Sequence, residues 1–213
     1  MSEADSKTRP YDSSGRREKA EASRRLVLEV AGQLFDEKGY QAATIADIAA
    51  GAGVSAETVY GFFGTKAELL GEWFGVVVFG DEVLKVMEQS WVQEMVLSED
   101  FDSAVVLFAA GVRRILERVY PAYSVARAAA KADDRVAIVY QRISDGRLKN
   151  LRGLTEVLAA KSQAADQDLD EIAEFMWAVV SPAVYESLTV ERGWSGDQYE
   201  SHLITCAKAT FGS

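Results

Sequence analysis

Apolar side chains recur every three or four positions along most of the chain, and nowhere do they alternate as they would on a half-buried strand. From Ser23 the stripe Val27, Val30, Ala31, Leu34 and Phe35 predicts a first helix that Lys38 and Gly39 stop. Thr44 caps a short second helix, with Asp47 at its third position and Ile45, Ile48, Ala49 and Ala52 on one face. Gly51 and Gly53 then predict a sharp turn through backbone angles that other residues avoid. Ser55 caps a third helix, with Val54 and Val59 at the spacing of a hydrophobic staple. At about 100° per residue, Val59, Phe62 and Phe63 fall on its inner side and Ala56, Glu57, Tyr60 and Gly61 on its outer side. Thr65 and Glu68 read as a full capping box for a fourth helix, which places Lys66 in its first turn.

Longer helices follow from about residue 82. Val105, Phe108, Ala109, Val112, Ile115, Leu116 and Val119 form one stripe, Pro121 is expected to open a new segment, and Val136, Tyr140, Ile143, Leu151, Leu154 and Leu158 mark another. Ile172, Phe175, Met176, Val179, Val180, Ala183, Val184 and Leu188 keep helical spacing for nearly five turns, with Pro182 expected to bend that helix. Ser195 and Gln198 form a capping box for the last helix, whose apolar side carries Tyr199, Leu203, Cys206, Ala207 and Thr210. Two such faces are either buried internally or paired with a second copy as a four-helix interface.

Composition narrows the function classes. The chain has 213 residues, 48% of them hydrophobic, which suffices for a real core in one or two domains. Its net charge of -10 argues against nucleic acid, because phosphate contacts supply most non-specific affinity. The charge is uneven, however. Residues 1–25 carry Lys7, Arg9, Arg16, Arg17, Lys19, Arg24 and Arg25 against Glu3, Asp5, Asp12, Glu18 and Glu21. Lys66 sits at the positive end of a helix, an unfavourable position unless an anion binds there.

The single cysteine, Cys206, has no partner within the chain and no CxxC context, as expected of a reducing cytoplasm. No apolar run is long enough to cross a membrane and no signal peptide is expected at the polar N-terminus. An enzyme finds little support: one histidine, His202, no HExxH or GxSxG, no phosphate-cradling glycine loop and no paired carboxylates. Neither metal nor cofactor is expected.

The run from Arg25 through "VLEVAGQLFDEKGY" and "TIADIAAGAGVSAETVYGFFGTKAELL" to Leu70 resembles the DNA-binding domain of the TetR family of transcriptional regulators. That resemblance implies an all-α chain of about nine helices. Residues 1–20 are then a mobile basic arm, 21–70 a helix-turn-helix domain with the start of helix four, and 71–213 a larger ligand-binding and dimerisation domain. It implies a homodimer on an inverted-repeat DNA operator, usually a repressor, released when a small molecule swings helix four. Thr44, Tyr60 and Lys66 match the family's phosphate contacts. Ala56, Glu57 and Gly61 match its base-reading positions, with Ser55 and Thr58 as helpers.

With no arginine on the reading face, Arg16, Arg17, Lys19, Arg24 and Arg25 are the basic candidates, the arm being expected to enter the adjacent minor groove. Trp91, Phe108, Tyr123, Tyr140 and Trp177 are candidates for lining a pocket for a largely apolar effector. Arg113, Arg114 and Arg127 are candidates for meeting an anionic ligand, while Asp81 and Glu82 follow the expected end of helix four. Phe175, Met176, Val179, Val180, Ala183, Val184, Tyr199, Leu203 and Ala207 are the expected dimer contacts. The competing reading is a helical ligand-binding dimer with degenerate DNA recognition.

Overall fold

The computed structural model describes residues 14–79, 86–162 and 167–212, and every regular element among them is helical. The order is α1 (Ser14–Ala42), α2 (Ile45–Ala52), α3 (Ala56–Phe63), α4 (Lys66–Phe79), a single tight turn (Val86–Glu88), α5 (Ser90–Leu97), α6 (Phe101–Ala130), α7 (Asp134–Ala159), α8 (Leu169–Val179), α9 (Pro182–Glu186) running into a π turn (Ser187–Glu191), and α10 (Gly196–Phe211). Among these residues no helix is long and apolar enough to cross a membrane.

Helix α1 starts earlier than its apolar stripe. The segment expected as a mobile arm is helical from Ser14, while residues 1–13, like Asp81 and Glu82, lie outside the described residues. Arg, Glu, Lys and Ala are strong helix formers, and the pairs Arg17/Glu21 and Glu21/Arg25 stand four apart with opposite charge, so the helix extends without a core beneath it. Gly39 breaks it where the sequence predicts a stop, leaving helical geometry at φ 74° and ψ 164°, and a short turn continues to Ala42.

The caps of the next helices form where the sequence puts them. Thr44 Oγ1 accepts from the Asp47 amide at 3.0 Å and Ser55 Oγ accepts from the Thr58 amide at 3.2 Å. Gly53 makes the turn between α2 and α3 in the left-handed region, at φ 65° and ψ 30°. Gly51 has a different job from the one expected of it: it lies inside α2, where a Cβ would stand 2.7 Å from Val30 Cγ1, so its bare backbone lets α2 lie close on α1. Gly64 joins α3 to α4 through a γ-turn, at φ 73° and ψ −58°, in which the Thr65 amide donates to the Phe63 carbonyl at 2.8 Å. The box at Thr65 closes on one side only. Thr65 Oγ1 accepts from the Glu68 amide at 3.1 Å, but the Glu68 carboxylate turns away to Arg142 of α7 at 2.8 Å.

Two apolar cores result. The first joins α1 to α4 with the inner face of α6 and α7 through Ala122, Tyr123, Ala126, Val136 and Val139. The second fills the space among α5, α6, α7, α8 and α10. Helix α6 is the spine of both, packing on α1, α4, α5, α7, α9 and α10.

Pro121, expected to open a segment, lies within α6. Its ring removes one backbone bond, and the buried Ala122, Tyr123 and Ala126 beyond it hold the helix to its neighbours. Pro182 does more than bend a helix: Ser181 is extended, at φ −80° and ψ 145°, and caps α9 at Val184, so one expected helix is two.

Gly111 of α6 faces the Trp91 ring so closely that a Cβ would stand 2.3 Å from Cε3. Because Trp91 is buried, the indole has nowhere to retreat. Gly111→Ala is therefore expected to lower stability by about 1–3 kcal/mol despite alanine's better helix propensity, read as a lower urea midpoint with an unchanged slope.

Candidate nucleic-acid interface and ligand cavity

Helix α3 is anchored on one side and open on the other. Val59 and Phe63 are buried, whereas Glu57 and Gly61 are exposed and Tyr60 is 52% exposed. Ala56 and Thr58 are half-buried. The Glu57 carboxylate folds back on the helix start, held below the usual carboxylate range by its own backbone N–H and then by the Ser55 hydroxyl. A Cβ on Gly61 would meet nothing within 4 Å, so its surface is flat and open.

Lys66 is set beside the end of α1 by the packing of α4 against that helix. Lys66 Nζ donates to the Gln41 carbonyl at 3.4 Å and stands 4.3 Å above the centre of the Tyr40 ring. Those contacts offset the dipole of its own helix, and burial lowers the lysine's pKa. Tyr40 in turn donates to Asp133 Oδ2 at 3.4 Å, and Asp133 caps α7 through the Arg135 amide at 2.9 Å.

Of the basic candidates, Arg16, Arg17, Lys19 and Arg25 are exposed on α1. Arg24 is committed to the fold: it pairs with Glu72 of α4 and lies 4.9 Å from the centre of the Phe63 ring.

Residues 27–73 match the family model for bacterial regulatory proteins of the tetR family. The chain carries a TetR-family DNA-binding domain. Proteins of this family are DNA-binding regulators rather than enzymes. The fold as a whole is that of a TetR-family regulator. A Rhodococcus sp. protein assigned to these regulators is 17% identical, with TM-score 0.69 over 90% of this chain and 100% of its own. NalD of Pseudomonas aeruginosa, secondary repressor of the MexAB-OprM multidrug efflux pump, is 20% identical, with TM-score 0.67 over 90% of this chain and 97% of its own. A regulator structure from Saccharomonospora viridis in complex with choline is 23% identical, with TM-score 0.62 over 86% of this chain and 94% of its own. At these identities the likeness speaks to fold alone. None of the curated proteins matches the sequence.

Beyond the TetR-type domain, a cavity of about 420 Å³ lies between α4, α6, α7 and the break before α9. Gly71, Phe74, Gly75 and Val78 form one wall, Val112, Leu116, Val119 and Tyr123 a second, and Val139, Ile143, Arg147 and Leu151 a third. Of the five aromatic candidates only Tyr123 lines it. Trp91 and Phe108 are core, because the stripes of α5 and α6 that carry them face each other. Tyr140 stands behind Tyr123 and donates to its hydroxyl at 2.6 Å. Trp177 donates to the Ser144 carbonyl at 3.3 Å and stacks on Arg147.

Arg113 is committed, paired with Glu117 at 2.7 Å, Asp197 at 2.6 Å and Glu200 at 3.2 Å, and Arg114 and Arg127 are exposed away from the cavity lining. Two cations line the cavity, Arg142, which is paired with Glu68, and Arg147, and neither was among the candidates. The signal for Arg147 was a charge on a stripe: Ile143, Arg147, Leu151 and Leu154 share one helical face.

The expected dimer contacts also divide. Met176, Val180, Tyr199, Leu203 and Ala207 are buried in the chain's own second core, since α8 and α10 turn these residues toward α6 and α7. Phe175 is 53% exposed, and Val179, Ala183 and Val184 are half-buried. Among the described residues no group of three His, Cys, Asp or Glu side chains is placed to hold a metal ion.

Tyr40 yields a pH prediction. Burial first and the Asp133 charge second raise its phenol to about 12, against about 10 in an unfolded chain. Between those values the unfolded state releases a proton that the folded state keeps, so stability falls as pH rises through this window. Tyr140 and Tyr199 are raised as well and share the fall. Tyr40→Phe is expected to make urea midpoints decline less steeply from about pH 10 to 12; an unchanged decline would show that Tyr40 ionises equally in both states.

Proposed function

We propose that the chain is a ligand-responsive transcriptional regulator that binds an inverted-repeat operator as a homodimer, represses from it, and is released when an effector enters the cavity. The observation that carries this reading is α3, which buries Val59 and Phe63 yet presents Tyr60, Glu57 and Gly61 to the outside. Tyr60, Thr44 and Lys66 take phosphates on either side of the major groove, Ser55 and Thr58 help from the start of α3, and Ala56, Glu57 and Gly61 face base edges. Ala56 suits a thymine methyl and Glu57 a cytosine amino group.

The helical start of α1 changes the role of the basic residues. A helix about 10–12 Å across does not enter a minor groove about 6 Å wide. Arg16, Arg17, Lys19 and Arg25 therefore approach the backbone phosphates from a rigid rod, and selectivity leans on DNA shape. Phe175, Val179, Ala183 and Val184, left accessible around α8 and α9, support pairing with a second copy. NalD is named a repressor, in keeping with repression here, and the Saccharomonospora regulator's bound choline is in keeping with a small-molecule effector.

The test is selection of bound duplexes from a random pool at two salt concentrations, followed by titration of the variants. Tyr60→Ala and Lys66→Ala are each expected to weaken binding about tenfold or more to all selected sequences, and Lys66→Ala to reduce the salt slope by about one. Dimer formation and cavity binding should persist. If nothing is enriched at low salt, or both variants bind as the parent does, the ligand-binding dimer with degenerate DNA recognition becomes the better reading.

A further inference from the structure

Arg147 carries a charge that the described residues around it leave unbalanced. It projects from α7 into the cavity wall, and its Nη1 donates to the Trp177 carbonyl at 2.5 Å while the Trp177 ring covers the guanidinium at 4.2 Å. Nε and Nη2 are buried from solvent and make no full hydrogen bond among the described residues, the Tyr123 hydroxyl standing only near enough for a weak one to the guanidinium. Among the described residues, neither carboxylate on the lining is left to offset the charge. Glu68 is paired with Arg142, and Glu72 with Arg24. The phenols of Tyr123, Tyr140 and Tyr199 stand near enough to act on Arg147, and burial pushes the ionisation of Tyr140 and Tyr199 above its usual range, so those two bring no negative charge at neutral pH. Burial also pulls Arg147 down to about 10, which leaves it a cation at neutral pH.

A cation with two buried donors left without a full hydrogen bond is costly unless something else satisfies them. The idle edge has a definite shape. Nε–H and one Nη2–H point side by side in the guanidinium plane, at the spacing of the two oxygens of one carboxylate. Most of the cavity wall is apolar, with Phe74, Val78, Leu116, Val119, Leu151 and Pro182 on it and Glu68, Glu72, Arg142 and Asn150 as the other polar residues, and its volume suits a small organic molecule.

We infer that the cavity takes an amphipathic carboxylate, its head gripped side-on by Nε and Nη2 of Arg147 and its apolar body lying between α4 and α6. The role of this acid as effector rests on the regulatory reading above; the anion site itself rests on Arg147. An arginine present only to hold the Trp177 carbonyl would stabilise the fold without distinguishing an acid from an alcohol.

The experiment is calorimetric titration of the full chain with hexanoate, decanoate and tetradecanoate, each beside its matched primary alcohol. At least one acid is expected to bind one site per chain about tenfold or more tightly than its alcohol, since a hydrogen bond to a charged group is worth at least that. Arg147→Met should bring acid and alcohol to parity, and Arg147→Lys, which keeps the charge but loses the fork, should retain only part of the preference. Equal binding of acid and alcohol across the series overturns the proposal, and that comparison needs no variant, so a poorly folded Arg147→Met does not shield it. A preference that survives Arg147→Met in a variant with parental circular dichroism overturns it too. The tightest acid is then added to the chain on its selected duplex: release supports the site as the effector site. Binding without release leaves the anion site standing and sinks the effector reading, whereas a chain that binds its operator but shows no acid preference sinks the anion site alone.

Discussion

Helix α4 belongs to two environments at once, and the arrangement of the molecule follows from that constraint. Toward α1 it buries Ala67, Leu70 and Trp73, with the Trp73 ring edge-on to Phe35 at 5.5 Å and packed where Gly32 has no side chain. Toward α7 it offers Gly71, where a Cβ would stand 2.9 Å from Val139, and toward α6 it offers Phe74, 6.4 Å from Tyr123. Because α4 buries side chains toward α1, α6 and α7 alike, with Glu68 and Val76 its exposed positions, the core of the DNA-binding domain runs without a break into α6 and α7. The expected division near residue 70 is a boundary in sequence that the packing crosses.

What could be read from the sequence was decided within a few positions. Thr44, Ser55 and Ser195 cap because the amide they accept from lies three residues on, and Gly53 turns because its own φ is positive. What could not be read depends on residues far away. Gly51 answers to Val30, Pro121 is tolerated because its downstream face is buried, and Glu68 leaves its box for an arginine on α7. The apolar faces of α8 and α10 were visible as faces, but periodicity does not say which surface covers them, and Tyr199, Leu203 and Ala207 proved to face inward. The cavity was misjudged for a related reason. Aromatics suggest pockets by type, yet the spaces in this core lie beside glycines and beneath a charge on an apolar stripe.

The acidity of the chain is compatible with a nucleic-acid surface because a field is felt locally. Glu57, the acid on the outer side of α3, spends its charge on the start of its own helix. Glu68, Glu72, Asp102, Asp170, Asp197 and Glu200 are paired with arginines or a lysine. Arg16, Arg17, Lys19 and Arg25 project from the opening turns of α1. A net charge of -10 thus coexists with a positive end, and the repulsion that would oppose a phosphate backbone falls mainly on other faces.

The two attachments of α4 are unequal, which gives direction to any coupling between cavity and α3. On the α1 side it is held by buried aromatic packing and by Arg24, which reaches Glu72 while lying against Phe63 of α3. On the α7 side the polar tie is Glu68 to Arg142, with side chains 48% and 58% exposed, a kind of pair worth at most about 1 kcal/mol. A molecule between α4 and α7 that favours a wider gap would have to open that weak ion pair and the close Gly71–Val139 contact, against buried aromatic packing and the Arg24 tie on the α1 side. Under the proposed reading the helix would then move with α1 and α3 rather than away from them, carrying Lys66 along. A ligand shifts such an equilibrium only by the difference in its affinity for the two positions. A head fixed on α7 and a body pressed on α4 supply that difference, because only the distance between those two helices decides whether both contacts are made together.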